Sequence, residues 1–168
     1  MHMRVFAFSS LSALLLAAVS CSNASDSIPQ SPTAVPSIAG TQSTPAPFTN
    51  ANGGEDVLIG ESAFMSFTVQ NGGSENLVVS SVTYTGDSPI TLQPGVNPSP
   101  LPATIPYDQD LTVGLTCTPV VSNPEVKEVY NGVVEIKSNA SNLPDITIYV
   151  QCTGLPALPD GGVPDGGN

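Results

Sequence analysis

Histidine is almost missing from this chain: the single one is His2, inside an amino-terminal stretch that reads as a leader. Beyond it there is no imidazole for a Ser-His-Asp or Cys-His mechanism, and none for a zinc site. Tryptophan is absent altogether, which weakens any case for a sugar-stacking platform, although four tyrosines remain. Bases are scarce as well, three against fourteen acids. Arg4 lies in the leader, so only Lys127 and Lys137 stay with the rest of the chain. Such a surface repels phosphate backbones and anionic headgroups, which argues against nucleic acid and polybasic membrane docking. No stretch past the leader repeats its apolar residues at helical spacing. The expectation is therefore a protein that is not an enzyme and needs no cofactor or metal.

What the chain does have is proline and glycine, seventeen and fifteen residues respectively. They crowd into 29–54, 93–106 and 154–167, and between them lie runs of Val, Ile, Thr, Phe and Tyr, which suit pleated strands. The length allows one ordinary domain with tails.

Residues 1–20 carry the three zones of an export signal: Arg4, an apolar stretch from Val5 to Val19 with a Leu-Ala core, and small residues before Cys21. The apolar run is too short for a membrane span and no stop-transfer pattern follows. Ala18-Val19-Ser20-Cys21 resembles the lipobox of bacterial lipoproteins, although its first position, most often Leu in that family, is Ala18 here. The resemblance implies a diacylglyceryl group on the Cys21 thiol and cleavage that leaves Cys21 as the new amino terminus. The same residues also satisfy a small-x-small site for the general signal peptidase, which would leave a free thiol. Two acyl chains hold a protein firmly where one holds it marginally. Ser22 is not the Asp associated with inner-membrane retention, so the resemblance implies an outer-membrane lipoprotein.

Residues 21–46 read as a disordered tether of Ser, Pro and Thr with isolated apolar residues, too few to offset chain entropy. Residues 156–168 read as a disordered acidic tail, in which Leu158-Pro159-Asp160-Gly161-Gly162 is followed by Val163-Pro164-Asp165-Gly166-Gly167. Two copies fall short of a calcium-binding β-roll.

The segment 47–155 alternates. Ala63, Met65, Phe67 and Val69 share one face, and Asn71-Gly72-Gly73 supplies a turn. Leu77 to Tyr84 is a second strand, and Ile90 to Leu92 a short edge strand with prolines close by. Leu111, Val113, Leu115 and Cys117 form another apolar face; Val134 and Ile136 another; Ile146, Ile148, Val150 and Cys152 the last. About seven strands separated by turn signals imply an all-β fold, a single antiparallel sandwich of the immunoglobulin type.

Five segments within 47–155 resemble the hydin- and major-sperm-protein-type (choice-of-anchor-like) immunoglobulin-like modules. They are Phe67 to Gly73, Leu77 to Val82, Leu115 to Pro119, Gly132 to Ala140 and Ile148 to Gly154. What the resemblance implies is a binding or spacer module without catalytic residues.

Three cysteines are an odd number for an exported chain. Lipid on Cys21 leaves Cys117 and Cys152, both on inward strand faces, where the resembling modules usually have another residue. A disulfide between them is the expectation; two buried thiols are the alternative. Asp108-Gln109-Asp110 and Glu55-Asp56 could offer oxygen to calcium, but acids before a strand are more often solvated turn residues.

The loop 93–107 has five prolines, and its apolar residues Val96, Leu101, Ile105 and Tyr107 are candidates for partner contact. Proline pre-sets an extended shape and so lowers the ordering cost of binding; the loop also reads as a stiffened connection. The functional expectation is a lipid-anchored cell-envelope protein presenting an interaction or structural module to an envelope protein. The alternative is an extracytoplasmic accessory that binds sugar or peptide through this loop.

Overall fold

The computed structural model describes residues 30–93, 99–120 and 126–155. The leader, Cys21, Val96 and the tail 156–168 lie outside the described residues. Among the described residues there are ten strands: β1 (Ala34–Pro36), β2 (Ala46–Pro47), β3 (Asp56–Leu58), β4 (Ala63–Asn71), β5 (Leu77–Gly86), β6 (Ile90–Leu92), β7 (Ala103–Ile105), β8 (Asp110–Cys117), β9 (Glu128–Ser138) and β10 (Asp145–Leu155). One sheet has the order β1-β4-β8-β6. The other runs β2-β10-β9-β5-β7, with β3 also paired to β10. The first order is that of an immunoglobulin ABED sheet, and β10-β9-β5 is the matching GFC arrangement.

The alternation read in the sequence places the core. Phe67, Val69, Leu111, Val113, Leu115 and Cys117 point from the first sheet toward Leu77, Val79, Val134, Ile136, Ile148 and Val150 of the second, all of them buried. β6 is an edge strand, as expected, with Ile90 paired to Cys117. A register shift between Val79 and Ser81 puts a bulge in β5, so Val82 rather than Ser81 turns inward beyond it.

The main departure lies at the amino end of the domain, which begins by residue 30 and not at 47. β1 pairs antiparallel with β4, Ala34 opposite Asn71, and Ala34 is buried. The physical reason is that β4 would otherwise leave a row of unpaired peptide groups at an edge, and a short proline-bearing segment satisfies them. Asn142 holds the segment from the other side, its side chain accepting from Ala34 N and donating to Ala34 O, both at 2.9 Å. The chain then crosses to the second sheet, where Tyr149 N donates to Gly40 O at 3.0 Å. The crossing is so close that a Cβ on Gly40 would collide with the Tyr149 carbonyl. β2 and β3 continue along β10, pairing with it in parallel and in succession, so the sandwich is mixed rather than purely antiparallel. Between them Asn50 shapes the turn: its Oδ1 accepts from Asn52 N and Gly54 N, and its Nδ2 donates to Asp56 O.

Asn71 is the one fully buried amide side chain among the described residues, and it joins two turns. Its Nδ2 donates to Glu75 O at 2.7 Å and Ile105 O at 2.9 Å, and its Oδ1 accepts from Gly73 N at 3.0 Å. Replacing it with leucine keeps the volume but strands three backbone groups. Asn71→Leu is expected to lower stability by about 2–3 kcal/mol, since an orphaned buried polar group costs about 1–3 kcal/mol. Urea unfolding checks this, and a loss below about 0.5 kcal/mol, the scatter of neutral surface changes, would refute it.

Candidate functional site

Cys117 ends β8 and Cys152 lies near the end of β10, in opposite sheets. Their Cα atoms are 6.5 Å apart and the sulfurs are bonded. That separation falls within the ordinary range for a disulfide. The bridge joins the E-like and G-like strands, whereas antibody domains bridge B and F. Ala63 and Ile90 flank Cys117, and Tyr130 sits beside Cys152, so the bridge is sealed from solvent. It is a cross-sheet staple and not a reactive centre.

Around the bridge, Tyr130 turns its hydroxyl toward Glu128 Oε2 and Val120 O. Burial first, then the Glu128 carboxylate, pushes its pKa up to about 12. Tyr84 is pushed up to about 12 as well, by burial and then by the charge of Asp87. Its ring lies over Gly132, where a Cβ would overlap it, and its hydroxyl donates to Asp87 O at 3.0 Å. Both tyrosines therefore remain neutral donors at physiological pH, suited to holding turns and not to proton transfer.

The candidate contact residues of the 93–107 loop do not act together. Ile105 is on β7, paired with Leu77 and fully buried, so it belongs to the core and is not open to a partner. Leu101 packs half-buried against the core. Tyr107 is 61% exposed and stays available. The correction follows from β5, whose outer edge takes β7 as its partner and draws Ile105 inward. Asp108 adopts a φ of 58°, and its carboxylate accepts from Gln70 Nε2 at 2.8 Å. That explains an acid at this turn without a metal, because Asp tolerates the left-handed region. Glu55-Asp56 is explained by Lys127, whose ammonium lies 2.8 Å from Asp56 Oδ1. Among the described residues no group of three His, Cys, Asp or Glu could hold a metal ion.

A depression of about 300 Å³ lies between the 41–45 turn and the outer face of the second sheet. Gln42, Pro45, Thr85, Asn131, Val133 and Tyr149 line it, with no charge among them. Thr85, Val133 and Tyr149 are register neighbours, which puts them in one row across three strands. Its amides and hydroxyls can exchange hydrogen bonds with a neutral molecule, and the Tyr149 ring supplies one flat apolar face. The residues forming one wall come from the segment read as tether, so the alternation pattern could not reveal it.

No protein-family model matches the chain, and no curated protein does. The structure is similar to a protein of unknown function from Porphyromonas gingivalis W83, with 16% identity and a TM-score of 0.48. The match covers 75% of this chain and 47% of that one, so the chain spans about half the length of that protein. It is also similar to the ASH / PapD-like domain of human CEP192 (PapD-like domain 7), at 14% identity and a TM-score of 0.41, covering 90% and 98% of the two chains. A third likeness is to the secreted serine protease VesC from Vibrio cholerae, at 10% identity and a TM-score of 0.39, covering 63% of this chain and 23% of that one. The immunoglobulin-like assignment rests on the strand order and register described above.

Proposed function

We propose that this immunoglobulin-like sandwich is a non-catalytic module held at the cell envelope by lipid on Cys21, where it binds another envelope protein. The observation that carries the reading is the sequence Ala18-Val19-Ser20-Cys21 at the end of an apolar leader. The cysteine pairing agrees with it. The bridge uses Cys117 and Cys152, leaving Cys21 as the odd thiol that lipidation would consume. The tether is shorter than the sequence suggests. With residue 30 already packed on the 71–76 turn, only 21–29 separate the anchor from the domain. Nine residues reach about 30 Å when fully extended, so the domain works close to the bilayer.

The test is metabolic labelling with palmitate in the native host. The full chain is expected to incorporate label and partition with membranes, and Cys21→Ala is expected to lose both. Secretion of an unlabelled parent chain, cut at the same bond, would refute the anchor.

A further inference from the structure

Exposed aliphatic side chains gather at one end of the sandwich. Leu58, Val120, Val126 and Val129 are between 44 and 56% exposed. Leu58 pairs with the half-buried Leu155, and Val129 lies in register with Thr153, itself beside Asp56. Val129 and Leu155 thus share the outer face of the second sheet with Leu58, two residues apart along the strands. Val120 lies at the same end of the sandwich, where its carbonyl accepts from the hydroxyl of Tyr130, a side chain on the opposite face of β9 from Val129. A cluster of this kind marks an interaction surface more often than chance exposure does.

The charges around it choose the occupant. Asp56 lies beside Thr153 on the same face, Glu55 precedes it, and the exposed Glu61 follows Leu58, its N–H donating to Leu58 O; Glu128, next to Val129, is engaged by the Tyr130 hydroxyl. The one base there, Lys127, is paired with Asp56. The other base beyond the leader, Lys137, lies opposite Asp145 at the far end of the same two strands. An acidic rim repels an anionic lipid surface and repels a second copy of itself, and it attracts lysine and arginine. The location fits as well. Gln30 enters at the 71–76 turn, and the cluster lies at the other end of β10, an 11-residue strand about 35 Å long. An anchor on Cys21 therefore enters the domain at the opposite end from this cluster.

We propose that the Leu58–Val129–Leu155 end of the sandwich is the docking surface for a protein that presents an aliphatic centre with a basic rim. This deepens the interaction-module reading and rests on it.

Photocrosslinking with benzoylphenylalanine in the native host tests it, using the full chain with the probe at position 129 and, separately, at positions 66 and 107. The probe at 129 is expected to give one discrete protein adduct, whose crosslinked peptide lies beside Lys or Arg. Adding Leu58→Asp or Glu61→Lys is expected to reduce the adduct by about tenfold, the effect of losing one interaction of 1.4 kcal/mol. Both positions face solvent, and an unchanged melting temperature confirms that each variant folds. An adduct of twice the chain's mass, an adduct with lipid, a partner peptide without bases, or insensitivity to Glu61→Lys would each overturn the proposal. Adducts at 66 or 107 with none at 129 would leave the interaction module standing and remove this surface. Silence at all three positions would remove both.

Discussion

Phe48→Ala is expected to lower stability by about 3–5 kcal/mol, the usual cost of emptying a buried phenylalanine site. The side chain is 0% exposed, and its own peptide N–H donates to Gln151 O at 2.8 Å. It follows β2 directly, so it fixes the strap that runs from β1 across to β10. A cavity there also loosens Ala46 and Pro47, which pair with β10 but are themselves half-buried and exposed. For a domain of this size the loss corresponds to a fall in melting temperature of more than about 10 °C. Phe64→Ala serves as the contrast, because Phe64 is exposed on the outer face of the first sheet and lies over Gly114. Its removal should cost within about 0.5–1 kcal/mol, as surface changes do. Similar losses for the two would mean that residues 30–48 are not an integral part of the sandwich.

Removing the bridge is the second large effect. The Cys117→Ala, Cys152→Ala double variant is expected to lose about 3–4 kcal/mol relative to the oxidised chain. In the chain-entropy treatment, closing a loop over a separation of 35 residues restricts the unfolded ensemble by that amount. Both positions are fully buried, so alanine adds a small cavity cost in the same direction. Native protein should show no alkylation at these two positions without reductant, and its intact mass should be lower by two hydrogens. A double variant within about 1 kcal/mol of the parent would show that the sheets are held by packing alone, with the staple redundant.

The strands that could be read in advance are the long ones. β4, β5, β8, β9 and β10 are each 8 to 11 residues long, enough for alternation to repeat several times. β1, β2, β3 and β7 have only two or three residues, and a period of two cannot be recognised in so short a run. That is why Val35 and Pro36 read as tether and why Ile105 read as an accessible loop residue. The asparagines show the same limit. Asn71 reads as a turn former, which it is, but it, Asn139 and Asn142 each also satisfy peptide groups on a distant segment. Asn139, part of a glycosylation-like triplet, has its Oδ1 committed to Val78 N at 2.7 Å.

Composition and local pattern by themselves determined the all-β class and the inward faces of β4, β8, β9 and β10, and they put Cys117 and Cys152 on two of those faces. They could do so because a side chain's face follows from its parity along one strand, and the cysteines extend two such faces. Only the tertiary structure decided where the domain begins and which apolar residues stay outside. A short edge segment is ordered by the neighbour it completes, as β1 is by β4 and Asn142, and its own residues carry no record of that neighbour. Leu58, Val129 and Leu155 likewise come from three separate strands, and it is strand pairing that gathers them at one acidic-rimmed end.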